Sequence, residues 1–124
     1  MKVLFLILAV ALSVPYAAFA ADPLKVAPDM YSLLYENEQV RVMTVTFKPG
    51  QKIAEHSHPD HYVVVTKPGK LKITKKDGTS SEVDLKMNQV MWINAETHWA
   101  ENVGKSQVEL IVNEMKSGSH SPLG

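Results

Sequence analysis

From Met30 onward the chain consists of short apolar and β-branched runs that are separated by turn residues. Within Val40–Phe47 the residues alternate between two faces, one with Val40, Val42 and Thr44 and the other with Met43, Val45 and Phe47. A period of two is typical of a strand with one buried face. The same reasoning predicts further strands at Tyr31–Tyr35, Lys52–Glu55, Tyr62–Thr66, Lys70–Lys75, Ser81–Met87, Gln89–Ile93, His98–Val103 and Gln107–Met115.

Helices contribute little to this pattern. No stretch between Met30 and Met115 shows a helical period of useful length, so crossover helices between parallel strands have no room. Pro68-Gly69 and Asp77-Gly78 mark tight turns, and the Asp-Gly pair is a strong hairpin signal. The sequence therefore predicts an all-β fold, an antiparallel β-barrel or double-stranded jelly roll.

The first twenty residues have the features of an export signal. Lys2 is followed by the apolar run Val3–Leu12, and Ala18-Phe19-Ala20 has the small residues that a signal peptidase recognises. The apolar run is too short to span a bilayer. We therefore expect a signal peptide at residues 1–20, cleavage after Ala20, and a periplasmic or secreted protein with no membrane attachment.

Composition limits the remaining possibilities. The formal net charge is zero and no basic stripe is present, which argues against a nucleic-acid partner. The chain has no cysteine, so a small exported domain would have to be stable without disulfides. We expect an N-terminal arm at 21–29, one barrel domain at 30–116 and a flexible tail at 117–124.

Histidines are the residues most suited to chemistry. His56 and His58 are two positions apart, so on a strand both rings point to the same side, and His98 on a later strand could join them. Three imidazoles can bind one divalent transition metal. The alternative is a set of unrelated surface histidines. His120, in the Ser- and Gly-rich tail, is expected in solvent.

Two segments resemble the motifs of the cupin family. Gly50, His56-Ser57-His58 and Gly69 resemble the first cupin motif, and His98-Trp99-Ala100-Glu101-Asn102 resembles the end of the second. The resemblance extends over about Tyr31 to Lys116. It implies a small single-domain bacterial cupin that forms a homodimer and holds a divalent Fe, Zn, Mn, Ni or Cu ion, with His56, His58 and His98 as ligands.

One difference from the cupin pattern concerns the fourth ligand. The family has a glutamate where this chain has Tyr62 or Val63. Tyr62 could offer a phenolic oxygen, and Asp60 or His61 could reach the metal or orient one of its ligands. The resemblance therefore predicts a three-histidine site and leaves the fourth position open.

A competing pattern overlaps the first motif. His56-Ser57-His58-Pro59-Asp60-His61 fits the His-x-His-x-Asp-His signature of metallo-β-lactamase-like hydrolases, in which Asp60 and His61 would bind a second zinc. That signature should lead into a loop and helix, whereas here it leads into a predicted strand. We keep this hydrolase as a remote alternative.

Function divides into two classes. The first is a binding protein that holds a metal and a small-molecule ligand in the barrel, and the absence of an evident general base favours it. The second is a metal-dependent enzyme, similar to a dioxygenase or an isomerase, that acts on a small molecule. No residue is predicted to be catalytic, no organic cofactor is indicated, and the fold alone does not decide between the two classes.

Overall fold

The computed structural model describes residues 21–116 of the chain. The predicted signal peptide, the predicted tail and His120 lie outside the described residues. All the predicted strands are found, and β3 extends further than expected, through His58. The elements are α1 (Pro23–Val26), β1 (Tyr31–Glu36), β2 (Val40–Phe47), β3 (Lys52–His58), β4 (His61–Lys67), β5 (Gly69–Lys75), β6 (Ser80–Leu85), β7 (Val90–Ile93), β8 (Glu96–Asn102) and β9 (Val108–Met115).

The strands form two antiparallel sheets. The five-stranded sheet has the order β1-β2-β9-β4-β7, and the four-stranded sheet has the order β3-β8-β5-β6. Within residues 21–116 no strand pairing joins the two sheets, so the fold is a two-sheet jelly roll rather than the closed barrel that was the other expectation. The all-β antiparallel class is confirmed.

The hydrophobic core lies between the two sheets. Alternation brings one face of each strand inward, as in β9, where every second residue from Val108 to Glu114 is buried. The buried apolar residues come from both sheets, and they are Tyr31, Met43, Val45, Phe47, Ile53, Val63, Val65, Leu71, Leu85, Ala100, Val108, Leu110 and Val112.

The turn residues act as the sequence predicts. Asp77-Gly78 connects β5 to β6, and Gly78 has φ of 94°, a conformation that favours glycine. Asn102, from the second motif, is buried, and its amide donates to the carbonyls of Phe47 (3.0 Å) and Ser106 (2.8 Å). Asn102 thus stabilises the loops at one end of the fold and does not belong to the histidine cluster.

The predicted N-terminal arm contains α1, which packs on β3 and β1. Asp22 caps this helix by accepting from the Leu24 amide at 2.9 Å. The Ala21 carbonyl accepts from the backbone N–H of Ser57, between the two histidines of the first motif. No helix within residues 21–116 has the length and apolar character needed to cross a membrane.

Candidate metal centre

Three strands bring four histidines to one end of the space between the sheets. His56 lies on β3 directly opposite His98 on β8, while His58 follows on β3 and His61 begins β4. A bulge after Ile53 resets the alternation of β3, so that Ile53 and His56 both face inward although they are three residues apart. The bulge therefore determines on which side of the sheet the His-x-His pair lies.

His56, His58 and His98 form a compact group. One nitrogen from each ring can be chosen so that all three lie within 4.8 Å of one another. The ring centroids are 4.9 Å apart for His56 and His58, 4.7 Å for His56 and His98, and 5.3 Å for His58 and His98. All three side chains are buried, and the structure brings these three predicted residues together.

Each histidine of the cluster uses Nδ1 in a hydrogen bond to an oxygen that accepts. The acceptors are the Ala54 carbonyl for His56 (2.8 Å), Glu114 Oε2 for His58 (2.7 Å), the Pro59 carbonyl for His61 (2.7 Å) and Glu96 Oε2 for His98 (2.6 Å). Carbonyl and carboxylate oxygens require a donor, so Nδ1 carries a proton, and in the neutral imidazole Nε2 then retains its lone pair. This is the arrangement that metal-binding histidines use in proteins.

A chain of ion pairs connects the cluster to the N-terminal arm. Glu114 accepts from His58 with one oxygen and from Arg41 Nε with the other, at 3.0 Å. Arg41 also donates to both carboxylate oxygens of Asp22, at 2.9 and 3.1 Å. The Glu114 side chain is 5% exposed, so its charge is balanced mainly by Arg41.

Burial favours the neutral form of three of these histidines, His56, His58 and His61. Burial lowers the pKa of His56 to about 3, against an ordinary value of 6.5, with a further contribution from His58. Burial also lowers the pKa of His58 and of His61. The pKa of Glu114 is raised, again by burial, and Arg41 opposes that shift. Neutral imidazole is the form that binds metal ions.

The other predicted site residues have different positions. Tyr62 alternates to the outer face of β4, away from the cluster. Asp60 is exposed and its carboxylate accepts from the Ala95 N–H at 2.8 Å, so it holds a loop. His61 is 2% exposed and stacks on His58 with centroids 4.4 Å apart, although it is not part of the compact group.

The metallo-β-lactamase-like alternative is wrong. The segment that carries its signature is strand β3, a turn and strand β4, with no helix. Asp60, which would bind the second zinc, points to the loop before β8 rather than to the histidines.

A cavity of about 420 Å³ adjoins the cluster between the two sheets. All four histidines line it, and most of the remaining lining is apolar. A pocket of this volume is within the range that small-molecule ligands use.

The mannose-6-phosphate isomerase C-terminal family matches residues 27–122, which include every strand and the whole histidine cluster. The chain belongs to this family. No curated protein sequence matches this family member significantly. The family membership agrees with the cupin resemblance of the two motifs.

Solved structures with this fold come from diverse organisms. A cupin domain from Bordetella pertussis has a TM-score of 0.66 and 23% identity, and the match covers 71% of this chain and 93% of that one. An uncharacterised conserved protein with a double-stranded β-helix domain from Klebsiella pneumoniae has a TM-score of 0.60 and 19% identity, covering 73% and 79%. An RmlC-like cupin family protein from Methanocaldococcus jannaschii has a TM-score of 0.58 and 14% identity, covering 69% and 78%. Similarity at these identities shows the fold, and the predicted cupin fold is confirmed.

Sequence reasoning missed the two carboxylates of the site. Glu96 precedes His98 by two residues on the same strand, so strand periodicity could have identified it. Glu114 lies 56 residues from His58, and no local pattern connects them. A charged residue at an inward position of the otherwise apolar face of β9 was the available signal.

Proposed function

We propose that this protein binds one divalent transition-metal ion through His56, His58 and His98 and holds a small ligand in the adjoining cavity. The observation that supports this most strongly is the shared use of Nδ1 as a donor, which leaves a lone pair on Nε2 of each ring. Imidazole donors suit iron, zinc, manganese, nickel and copper to different degrees. Such an ion, when bound, supplies a Lewis acid for an oxygen donor of the ligand.

Metal content tests this proposal directly. The protein is purified without added metal, incubated with each of the five ions in turn, desalted and measured by elemental analysis. We expect about one ion per chain for the preferred metal, and loss of that ion in a double variant with His56→Ala and His98→Ala. His120→Ala is the matched control and should retain the ion. Circular dichroism shows whether the double variant is folded, and absence of bound ion in the wild type for all five metals would overturn the proposal.

A second candidate is a metal-dependent enzyme, which the isomerase name of the family supports. His61 lines the same cavity, and its Nδ1–H donates to Pro59, so Nε2 is available as a hydrogen-bond acceptor beside the cluster. The metal-loaded protein would be assayed for conversion of mannose 6-phosphate to its ketose isomer and for oxygen uptake with small acids and thiols. Turnover that disappears in the His56→Ala and His98→Ala variant would support an enzyme, and absence of all turnover would argue for a binding protein.

A further inference from the structure

The cavity between the sheets is apolar over most of its surface. Phe47 and Leu110 contribute from the five-stranded sheet, and Leu71 and Val83 contribute from the four-stranded sheet. The volume of the cavity is about 420 Å³. An apolar space of this size favours a compact ligand with a hydrophobic body.

The polar lining lies mainly at the histidine end. Lys75 is opposite His98 in the pairing of β5 with β8, and it is the only cationic residue besides histidine among those that line the cavity within residues 21–116. The Tyr31 ring centroid lies 6.2 Å from that of His56 and 6.4 Å from that of His58. The other polar contributors are Ser81, Glu96, whose carboxylate accepts from His98, and the indole of Trp92.

Tyr31 offers a buried hydroxyl donor beside the acceptor nitrogens of the histidines. The residue is 5% exposed, and its hydroxyl makes no hydrogen bond to any residue within 21–116. A buried hydroxyl without a partner is unfavourable. A ligand atom that accepts a hydrogen bond near His56 and His58 would satisfy it.

The same lining is unsuited to a sugar phosphate. Arg41 is the only arginine in the chain, it is paired with Asp22 and Glu114, and it does not line the cavity. A sugar phosphate would bring several hydroxyls and a doubly charged group against Leu, Val and Phe side chains that cannot bond to them. Burying such groups without partners is costly.

We infer that the ligand is a small molecule with a hydrophobic body and a single anionic oxygen head group, such as a carboxylate. The body lies between the sheets, and the head group lies at the histidine end, where the Tyr31 hydroxyl donates to it and Lys75 provides the opposite charge. The contact of the head group with a metal rests on the proposed function, whereas the preference for a hydrophobic body does not.

Calorimetric titration of the zinc-loaded protein tests this ligand class with three probes: 3-phenylpropanoate, its neutral amide, and mannose 6-phosphate. We expect the carboxylate to bind about tenfold more tightly than the amide, and mannose 6-phosphate to show no measurable binding. Tyr31→Phe should weaken binding of the carboxylate about tenfold and binding of the amide by less, because the amide carbonyl accepts a weaker hydrogen bond than a carboxylate does. Tighter binding of mannose 6-phosphate than of 3-phenylpropanoate, or an equal loss for both phenyl probes in Tyr31→Phe, would overturn the inference.

Two further variants test whether the probes occupy the cavity. Val83→Phe fills its apolar part, and we expect it to abolish binding of both phenyl probes while the zinc content stays unchanged. Val90→Phe makes the same substitution at a position that is 61% exposed, and it should change neither probe binding nor zinc content. Probe binding that persists in Val83→Phe would count against the hydrophobic body. A wild-type protein that takes up no metal but binds the amide would overturn the proposed function alone.

Discussion

Two glutamates orient histidines of the site, and the chain places them very differently. Glu96 lies two residues before His98 on the same strand, and its side chain is 21% exposed. Glu114 lies on the opposite sheet from His58, is 5% exposed, and is shared with Arg41. The first contact depends on one strand, whereas the second depends on the packing of both sheets.

The two glutamates should therefore affect different properties. Glu96 should affect the orientation of one histidine ring, and Glu114 should affect the stability of the fold. A carboxylate near solvent can lose its partner and be hydrated, so removing the Glu96 contact should affect mainly the His98 ring. Removing Glu114 would leave the His58 N–H without its acceptor, and Arg41 would keep only the more exposed Asp22 as a partner. We therefore expect a substitution of Glu114 to lower both stability and metal affinity. A substitution of Glu96 should lower mainly metal affinity.

The largest effect is expected for Glu114→Leu. Breaking a buried ion pair by removing one partner typically costs about 3–5 kcal/mol, and we expect a loss in that range in urea unfolding. Glu109→Leu is the matched control, since Glu109 lies on the outer face of the same strand, and it should cost about 1 kcal/mol or less. Adding Arg41→Met to Glu114→Leu should recover part of the loss. If Glu114→Leu and Glu109→Leu destabilised the protein equally, the buried position of Glu114 would have no special role in stability.

The buried histidines predict a loss of stability in acid for the metal-free protein. For His56 the unfolded chain binds a proton near pH 6.5 and the folded chain only near pH 3, so the unfolded state holds more protons between these values. Stability therefore falls as the pH decreases through this window, by up to about 1.4 kcal/mol per pH unit for each such histidine. His58 and His61, whose pKa values are also lowered, act in the same direction, and Glu114, whose pKa is raised, acts in the opposite one.

Urea unfolding of metal-free protein between pH 7.5 and 5 measures this slope. His61→Gln removes one of the contributing groups without removing a residue of the compact group, and it should make the slope shallower. A stability that is constant over this range, or a slope that His61→Gln leaves unchanged, would contradict neutral burial of the histidines.

The fold could be predicted from the sequence because its signals are local. Alternation in β2 and the Asp77-Gly78 turn depend on neighbouring residues, and both are found where the sequence places them. The bulge after Ile53 could not be predicted in this way, because it depends on how β3 pairs with β8. β3 also continues through His58, beyond the strand Lys52–Glu55 that the local pattern predicts.

The site was predictable in part for the same reason. The same-face spacing of His56 and His58 indicated a pair, and the second motif indicated His98 as their partner. The antiparallel register that places His56 opposite His98 is a tertiary result. The contact of Glu114 with His58 across the sheets is also a tertiary result. Tyr62 was considered as a ligand because alignment to a motif does not give the face of the strand on which a residue lies.

A smaller effect is expected for Glu96→Gln. The amide keeps the shape and can still accept from His98 Nδ1, but it removes the charge, so metal affinity should fall about tenfold or more. Stability should change by only about 1 kcal/mol, because the side chain is partly exposed. Zinc competition titrations and urea unfolding, done in parallel with Glu114→Gln, measure both quantities. A loss of stability as large as that of Glu114→Gln would remove the distinction between the two glutamates.

The smallest effect is expected where charge is neither buried nor connected to a histidine. Lys70 lies 3.9 Å from Glu82 and 3.7 Å from Asp84, and all three side chains are at least 42% exposed. Exposed pairs of this kind contribute about 0–1 kcal/mol, so Lys70→Ala should leave both the urea midpoint and zinc affinity nearly unchanged. Asp22→Ala removes a shorter ion pair, 2.9 Å, with Arg41. Because Arg41 also contacts Glu114, this variant should lower both the urea midpoint and the zinc affinity measurably. If the two variants behaved alike, the path from the N-terminal arm to His58 would have no energetic role.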